Sequence, residues 1–224
     1  MDRFPRSLEI LRASLASLTR PGREQLLDLV ASAMVQPQDL EPWADYGHPN
    51  SDSYGRRLVC HGGHFELMVM TWLPGDVSAI HDHGGAEWGA VQCFGEALHD
   101  TFRLEAMRLM ATGSRPYHSG DIQWVDPFLI HQMGNIDRPP FLSLHLYGCR
   151  EPRELITGQA RLFDLDGGEI QYTDGGVFHA LPEERILRRR PGLQAAADLV
   201  ARQRRFKAER LARMGLAASS AAAI

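Results

Sequence analysis

The chain is poor in several things, and each shortage narrows what it can be. Lysine occurs once, at Lys207, so arginine carries nearly all the positive charge; that bias assigns no function by itself. The net charge is only −4 over 224 residues. So near a balance leaves no overall field to draw the chain to nucleic acid or a membrane surface, and neither is expected as a partner. Cysteine is scarce: Cys60, Cys93 and Cys149 are widely spaced, odd in number and form no Cys-x-x-Cys. This argues against a disulfide scaffold or a zinc knuckle and for a reducing, cytoplasmic setting, with the three thiols read as small buried apolar groups rather than nucleophiles. No run approaches the roughly 18 consecutive apolar residues of a membrane span, and the first twelve residues mix acids and bases, so a soluble, unprocessed chain is expected.

What is present is an ordinary apolar fraction in a length that suits one sizeable domain with appendages. Leu8, Ile10, Leu11, Leu15 and Leu18 follow helical spacing and predict a helix over residues 7–18. Pro21-Gly22 interrupts before a second helix over 23–34, in which Leu27 and Val30 repeat the pattern. Residues 36–53 read as a long ordered loop, which completes an N-terminal cap over 1–53.

From Tyr54 the pattern changes to short alternating runs separated by glycine or proline. Strands are expected at 57–60, 65–73, 78–83, 89–94, 97–104, 121–125, 130–134 and 141–146, with a hairpin of 169–173 and 177–180 around Asp174-Gly175-Gly176. That many short strands close a small β-barrel or jelly roll over 54–182, with an interior sized for one small ligand. Residues 183–224 turn basic and are expected as a helix with a solvated face, its Ala/Ser-rich end after Gly215 frayed. The expected class is mainly β, one globular domain overall.

Chemistry concentrates in Pro74-Gly75-Asp76-Val77-Ser78-Ala79-Ile80-His81-Asp82-His83. Residues i and i+2 of a strand project from one face, so both imidazoles can reach one point, which a metal ion would suit. A His-x-His pair alone is as compatible with surface or hydrogen-bonded core residues. Downstream, Gly120-Asp-Ile-Gln-Trp-Val-Asp-Pro-Phe-Leu-Ile-His131-Gln-Met-Gly-Asn135 supplies a third histidine on a strand leaving a Pro-containing turn. Phe141-Leu-Ser143-Leu-His145-Leu-Tyr147 alternates strictly, so Ser143, His145 and Tyr147 share one face and the leucines the other. In a closed barrel the polar face can line the cavity.

Together these segments resemble the two cupin motifs: Gly75, five residues, His81-x-His83 and Gly95 in the first; Gly120, His131 and Asn135 in the second, where Pro127 is shifted by one and Phe128 stands at a usual glycine. The Ser-x-His-x-Tyr strand beside them, and Tyr54-Gly-Arg56 with Phe65-Glu-Leu-Met and Trp72 ahead of them, are similar to the thiol dioxygenases of the cysteine dioxygenase family. The resemblance covers about residues 54–147. It implies His81, His83 and His131 as ligands of a mononuclear Fe(II), Arg56 as a fork for a substrate carboxylate with Tyr54 assisting, and His145, backed by Ser143, orienting Tyr147 toward the reacting atoms. The implied reaction adds both atoms of O2 to a small thiol, giving a sulfinic acid. L-cysteine is the first substrate expected, with 3-mercaptopropionate or another mercapto-acid as the alternative. A metal-dependent cupin binding or sensor protein, or a different cupin enzyme with Glu87 as fourth ligand, are the competing readings.

Several local questions stay open in the sequence. Glu87 sits at the spacing of a metal-binding glutamate in many cupins, but counting back from Gly95 puts that position on Trp88, on the opposite face. Trp88-Gly89 stands where animal family members carry the cysteine that cross-links to the active-site tyrosine, so no thioether is expected, and Cys93 lies too far along to replace it. Arg57, by a slip of register, or Arg150 or Arg153 are further candidates for a carboxylate contact. His48, His61, His64, His99, His118 and His179 lack any such spacing and are expected to be ordinary.

Overall fold

The computed structural model describes residues 4–49 and 51–213. Three helices open the chain: α1 (Arg6–Leu15), α2 (Arg23–Ser32) and the single-turn α3 (Pro37–Leu40), followed by a 3-10 turn at Glu41–Trp43. The last two occupy part of what reads as loop in the sequence. Pro37 presets the first helical dihedral, and a capping box in which Asp39 reaches back to the Gln36 amide holds the turn.

The strands that follow are β1 (Gly55–His61), β2 (Phe65–Trp72), β3 (Asp76–Val77), β4 (Trp88–Cys93), β5 (Leu98–Glu105), β6 (Arg108–Ser114), β7 (Ile122–Val125), β8 (Ile130–Asn135), β9 (Phe141–Gly148), β10 (Ala160–Asp164), β11 (Glu169–Thr173), β12 (Ile186–Pro191) and β13 (Gln194–Ala195), before α4 (Ala197–Arg213). One sheet has the order β1-β2-β9-β4-β7, a second β13-β6-β5-β8-β3 and a third β10-β11-β12. Backbone bridges from His81 to His131 and to Leu162 stitch the second sheet to the third.

Three expectations from the sequence need correction. The run 78–83 is not a regular strand: β3 ends at Val77, and His81 is held by single bridges to β8 on one side and β10 on the other, so the segment is shared between two sheets. Residues 177–180 do not pair with β11, whose neighbours are β10 and β12. Asp174 closes no hairpin turn: its carboxylate takes two hydrogen bonds from Arg185 at 3.0 Å each. The basic run 188–190 lies in β12, an edge strand whose exposed arginines suit an unpaired edge, rather than in a helix.

The layers decide where polar groups can go. Along β9, Leu142, Leu144 and Leu146 pack with Leu67, Val69 and Trp88 against Leu8, Leu11, Leu15, Leu26 and Val30 of the helices. Both faces of β9 are therefore buried, and the face opposite the leucines looks into the space between the sheets, among Met68, Met70, Trp72 and Met133. Burying each such leucine contributes about 1.5–3 kcal/mol, which fixes the register of β9 and with it the inward direction of residues 143, 145 and 147.

On the far side, α4 covers the second and third sheets through Leu199 and Val200 over Ile80, Phe102, Ile130 and Phe163. Its basic side is not simply solvated. Arg202 holds both Asp100 and Gln132, which face each other across β5 and β8. Gln203 bonds the Phe163 carbonyl and the Leu165 amide at 2.7 Å each. Arg210 is buried against Asp76 at 2.7 Å, and Asp76 also takes a 2.9 Å bond from His48 and a 2.7 Å bond from the Leu73 amide. Gly75, at φ 84°, makes the turn that delivers Asp76 to this junction. No helix among the described residues is long and apolar enough to cross a membrane. The fraying expected after Gly215 lies outside the described residues.

Candidate metal centre and its pocket

His81, His83 and His131 converge as the sequence suggests, although not from one regular strand. His81 is fixed by paired backbone bonds with His131, each 2.9 Å, and Asp82 accepts from the Arg161 amide at 2.7 Å and from its side chain. The short segment is thereby clamped on both sides. His131 Nε2 lies 3.2 Å from His81 Nε2 and 3.1 Å from His83 Nε2. Two metal–nitrogen bonds of about 2.0–2.1 Å meeting near a right angle span about 3 Å, which both of these separations match, and the three ligand atoms all lie within 4.8 Å of one another. Among the described residues this is the one group of three or more possible ligands within such reach.

The protonation of the cluster agrees with that fit. Burial lowers His81 to about 4 and pushes His83 and His131 well below the usual range, with neighbouring histidines adding to the effect on the latter two. All three rings are neutral at physiological pH and present lone pairs. His81 Nδ1 lies 2.8 Å from the Ala79 carbonyl, so its proton sits there and Nε2 is free to bind. His83 is held by packing: its ring lies 4.9 Å from that of Tyr147, inclined by 30°.

A chain of hydrogen bonds runs along the inner face of β9. Trp72 Nε1 lies 2.8 Å from Ser143 Oγ, Ser143 Oγ 2.8 Å from His145 Nε2, and His145 Nδ1 2.9 Å from the Tyr147 hydroxyl. Indole can only donate, so Ser143 accepts from Trp72 and passes its own proton to His145 Nε2. The His145 proton then sits on Nδ1 and points at the phenol oxygen. Burial lowers His145 to about 3 and raises Tyr147, so the pair is imidazole and phenol, with the phenol's proton directed away from His145.

Tyr54, Arg56, Met68, Met70, His81, Asp82, His83, Tyr147, Thr157, Ala160, Gly175 and Val177 line a small, partly open pocket with a cavity volume of about 20 Å³. Arg56 enters it half-buried and forms no ion pair among the described residues; its nearest partner is Thr157 Oγ1 at 3.4 Å. Arg57 points out and pairs with Asp45 at 2.9 Å, so of the two it is Arg56 that lines the pocket. Arg153 binds the Gly85 carbonyl at 2.8 Å and Glu87 at 3.2 Å, and Arg150 is exposed at the surface. Tyr54 is buried, stacked on Trp72 at 4.6 Å, and burial pushes its phenol up to about 12.

The model of the family described as cysteine dioxygenase type I matches residues 5–153, well over half of the chain. The chain belongs to the cysteine dioxygenase family. It is 28% identical over 158 residues to cysteine dioxygenase type 1 of Danio rerio, covering 64% of this chain and 75% of that one. To the Homo sapiens enzyme of the same name it is 27% identical over 154 residues, covering 64% and 74%. Among solved structures it is similar to an uncharacterized double-stranded β-helix protein of Klebsiella pneumoniae (18% identity, TM-score 0.40, 51% of this chain and 90% of that one). It is also similar to a cupin 2 conserved barrel domain protein of Salinispora arenicola (20% identity, TM-score 0.36, 46% and 83%).

For this cysteine dioxygenase family member the question of Glu87 has an answer outside both alternatives. Trp88 turns outward into the helix-facing core and bonds the Thr19 carbonyl, while Glu87, just before the strand begins, swings to the surface and Arg153. The inward position is Gly89, where an added Cβ would lie 2.5 Å from the Leu146 carbonyl and 3.1 Å from the Tyr147 ring. Cys93 is buried farther along β4 and directs its thiol at the Gly95 carbonyl; Cys149 directs its own at the Glu151 carbonyl.

His99, expected to be ordinary, is not. Its Nε2 lies 3.0 Å from His131 Nδ1 and 3.1 Å from the Tyr117 hydroxyl. The signal was available in part, since an inward parity on the expected strand 97–104 could be counted; the partner Tyr117 comes from a segment with no pattern of its own. Thr157 was likewise invisible, lying in the irregular stretch after β9.

Proposed function

We propose that the protein is a non-heme Fe(II) thiol dioxygenase that converts a small thiol carboxylate, L-cysteine foremost, and O2 into the sulfinic acid: RSH + O2 → RSO2H. The observation that carries this reading is the convergence of three neutral imidazoles, two of them lining the pocket, beside a guanidinium with no ion pair among the described residues and a phenol whose proton is directed away from its own hydrogen-bond donor. His81, His83 and His131 would hold the ion. A bound iron supplies the redox chemistry that joins dioxygen to sulfur, and three neutral ligands leave its charge available to an anionic thiolate.

The chain's own residues do the rest. Arg56 forks onto the carboxylate and so fixes the distance from that group to the sulfur, with Thr157 limiting where the fork can swing. Tyr147 donates its proton into the space beside the ligands while His145, held by Ser143 and Trp72, prevents the phenol from rotating away. Met68, Met70 and Val177 exclude water from the pocket. The free state of Cys60, Cys93 and Cys149 fits a reducing, cytoplasmic setting.

One observation favours a second thiol. Asp82, the only acid lining the pocket, is engaged by Arg161, so the described walls present no free carboxylate to an amino group. That keeps 3-mercaptopropionate and related mercapto-acids beside L-cysteine. The test is to load the protein with iron and follow oxygen uptake and sulfinate formation with L-cysteine, 3-mercaptopropionate and cysteamine, which lacks the carboxylate. Uptake with one or both acids and not with cysteamine is expected. A protein that binds the acids but consumes no oxygen would instead be a cupin binding or sensor protein.

A further inference from the structure

We propose that His99 is the positioning residue that sets the tautomer of the candidate ligand His131, with Tyr117 as a brace that competes for the same lone pair; this rests on the metal-site reading above. His99 and Tyr117 are both buried, and neither lines the pocket. A backbone bridge between Tyr117 and Ala97, two residues before His99, lays the phenol ring flat on the imidazole, 4.2 Å between centroids and 19° between planes. The stacked phenol holds one face of the His99 ring. Its Nε2 meets His131 Nδ1 at 3.0 Å.

The direction of that bond follows from bonding rules. A metal on His131 Nε2 requires the proton on Nδ1, so His131 donates and His99 Nε2 accepts. Imidazole nitrogen is a better base than the carbonyl that serves His81, so His131 is the ligand made most electron-rich. The Tyr117 hydroxyl, 3.1 Å from the same nitrogen, addresses the one lone pair available. Removing the hydroxyl therefore leaves His131 as sole donor, whereas removing the acceptor leaves a buried N–H without a partner.

The test uses the full chain and Co(II) as a spectroscopic stand-in, titrated against a chromophoric chelator, on the parent and on His99→Leu, His99→Gln and Tyr117→Phe. His99→Leu is expected to weaken Co(II) binding about 10- to 100-fold and to alter the ligand-field spectrum. His99→Gln, whose amide oxygen can accept, is expected to recover most of both, and Tyr117→Phe to bind at least as tightly as the parent. Equal weakening by Leu and Gln, or a Leu variant indistinguishable from the parent, overturns the acceptor role. Should His99→Leu not fold, a Tyr117→Phe variant weakened tenfold does the same. A parent that binds no Co(II) overturns the metal-site reading and this inference with it, whereas a parent that binds while His99→Leu is unaffected overturns only the inference.

Discussion

Two polar tracks flank the three histidines, and they are built in opposite ways. One lies on successive inward positions of a single strand, Ser143, His145 and Tyr147, and ends in a hydroxyl beside the pocket. The other is assembled from His99 on β5 and Tyr117 in the connection before β7, and ends on the ring nitrogen of His131. The difference teaches that a track's terminus, rather than its composition, decides what it can influence. The first ends beside the pocket and can steer a proton there; the second ends on the His131 ring and can tune how that ring is held.

Substitutions should separate the two, and the largest effect belongs to what they share. His131→Ala removes a candidate ligand and the terminus of the second track, and is expected to abolish metal retention, measured by metal analysis after gel filtration. Next, Tyr147→Phe is expected to lower turnover by about 10²-fold or more, within the range of a lost general acid–base group, while metal content and substrate binding stay unchanged. Equal loss of metal in Tyr147→Phe would merge the tracks into one. Asp76→Ala touches neither: it strands the buried Arg210 and is expected to cost about 3–5 kcal/mol of stability in denaturant unfolding, with metal affinity of the folded fraction preserved. Arg56→Ala is expected to raise KM about ten- to a hundredfold for carboxylated thiols, with kcat changed less, as befits one charge-assisted contact.

The last effect is one of pH. Burial depresses His81, His83, His99, His131 and His145 below an ordinary imidazole. In the unfolded chain these groups take up protons at about pH 6.5 while the folded chain resists, so stability is fully present above that value and falls as pH drops toward the folded values near 4 and 3. His48 runs the other way: the Asp76 bond and charge outweigh burial and raise it, so its share is present below about 6.5 and fades as pH rises through the raised value. Melting temperature of the metal-free chain against pH should therefore rise from acid to neutral, and His48→Gln should remove a contribution only below the upper end of that range.

The same comparison explains how much could be read in advance. The β9 track was legible because strict alternation between leucines and polar residues survives any uncertainty in strand ends, and helices over the leucine face leave the polar face to look into the barrel. The N-terminal helices were legible from the spacing of Leu8, Leu11 and Leu15, whose burial the structure shows. The His99 track was not, because its members are 18 residues apart and meet only through the Ala97–Tyr117 bridge. Strands β6 and β10 escaped notice for a local reason: Met-Ala-Thr-Gly-Ser and Arg-Leu-Phe-Asp carry little alternation and few β-branched residues. The docking of α4 was hidden because Arg202 and Arg210 look like solvated charges until Asp100 and Asp76 are brought beneath them. Glu87 shows the limit of counting: parity put it inward or Trp88 inward, but the strand begins one residue too late to hold the glutamate in line.

The central claim is that this pocket adds both oxygen atoms of one dioxygen molecule to a carboxylated thiol. Single turnover of the iron-loaded protein with L-cysteine or 3-mercaptopropionate under ¹⁸O2, read by mass spectrometry of the sulfinate, tests it most directly. Both oxygens of the sulfinate labelled is the predicted result. A product with one label, with none, or a disulfide in place of sulfinate would contradict it.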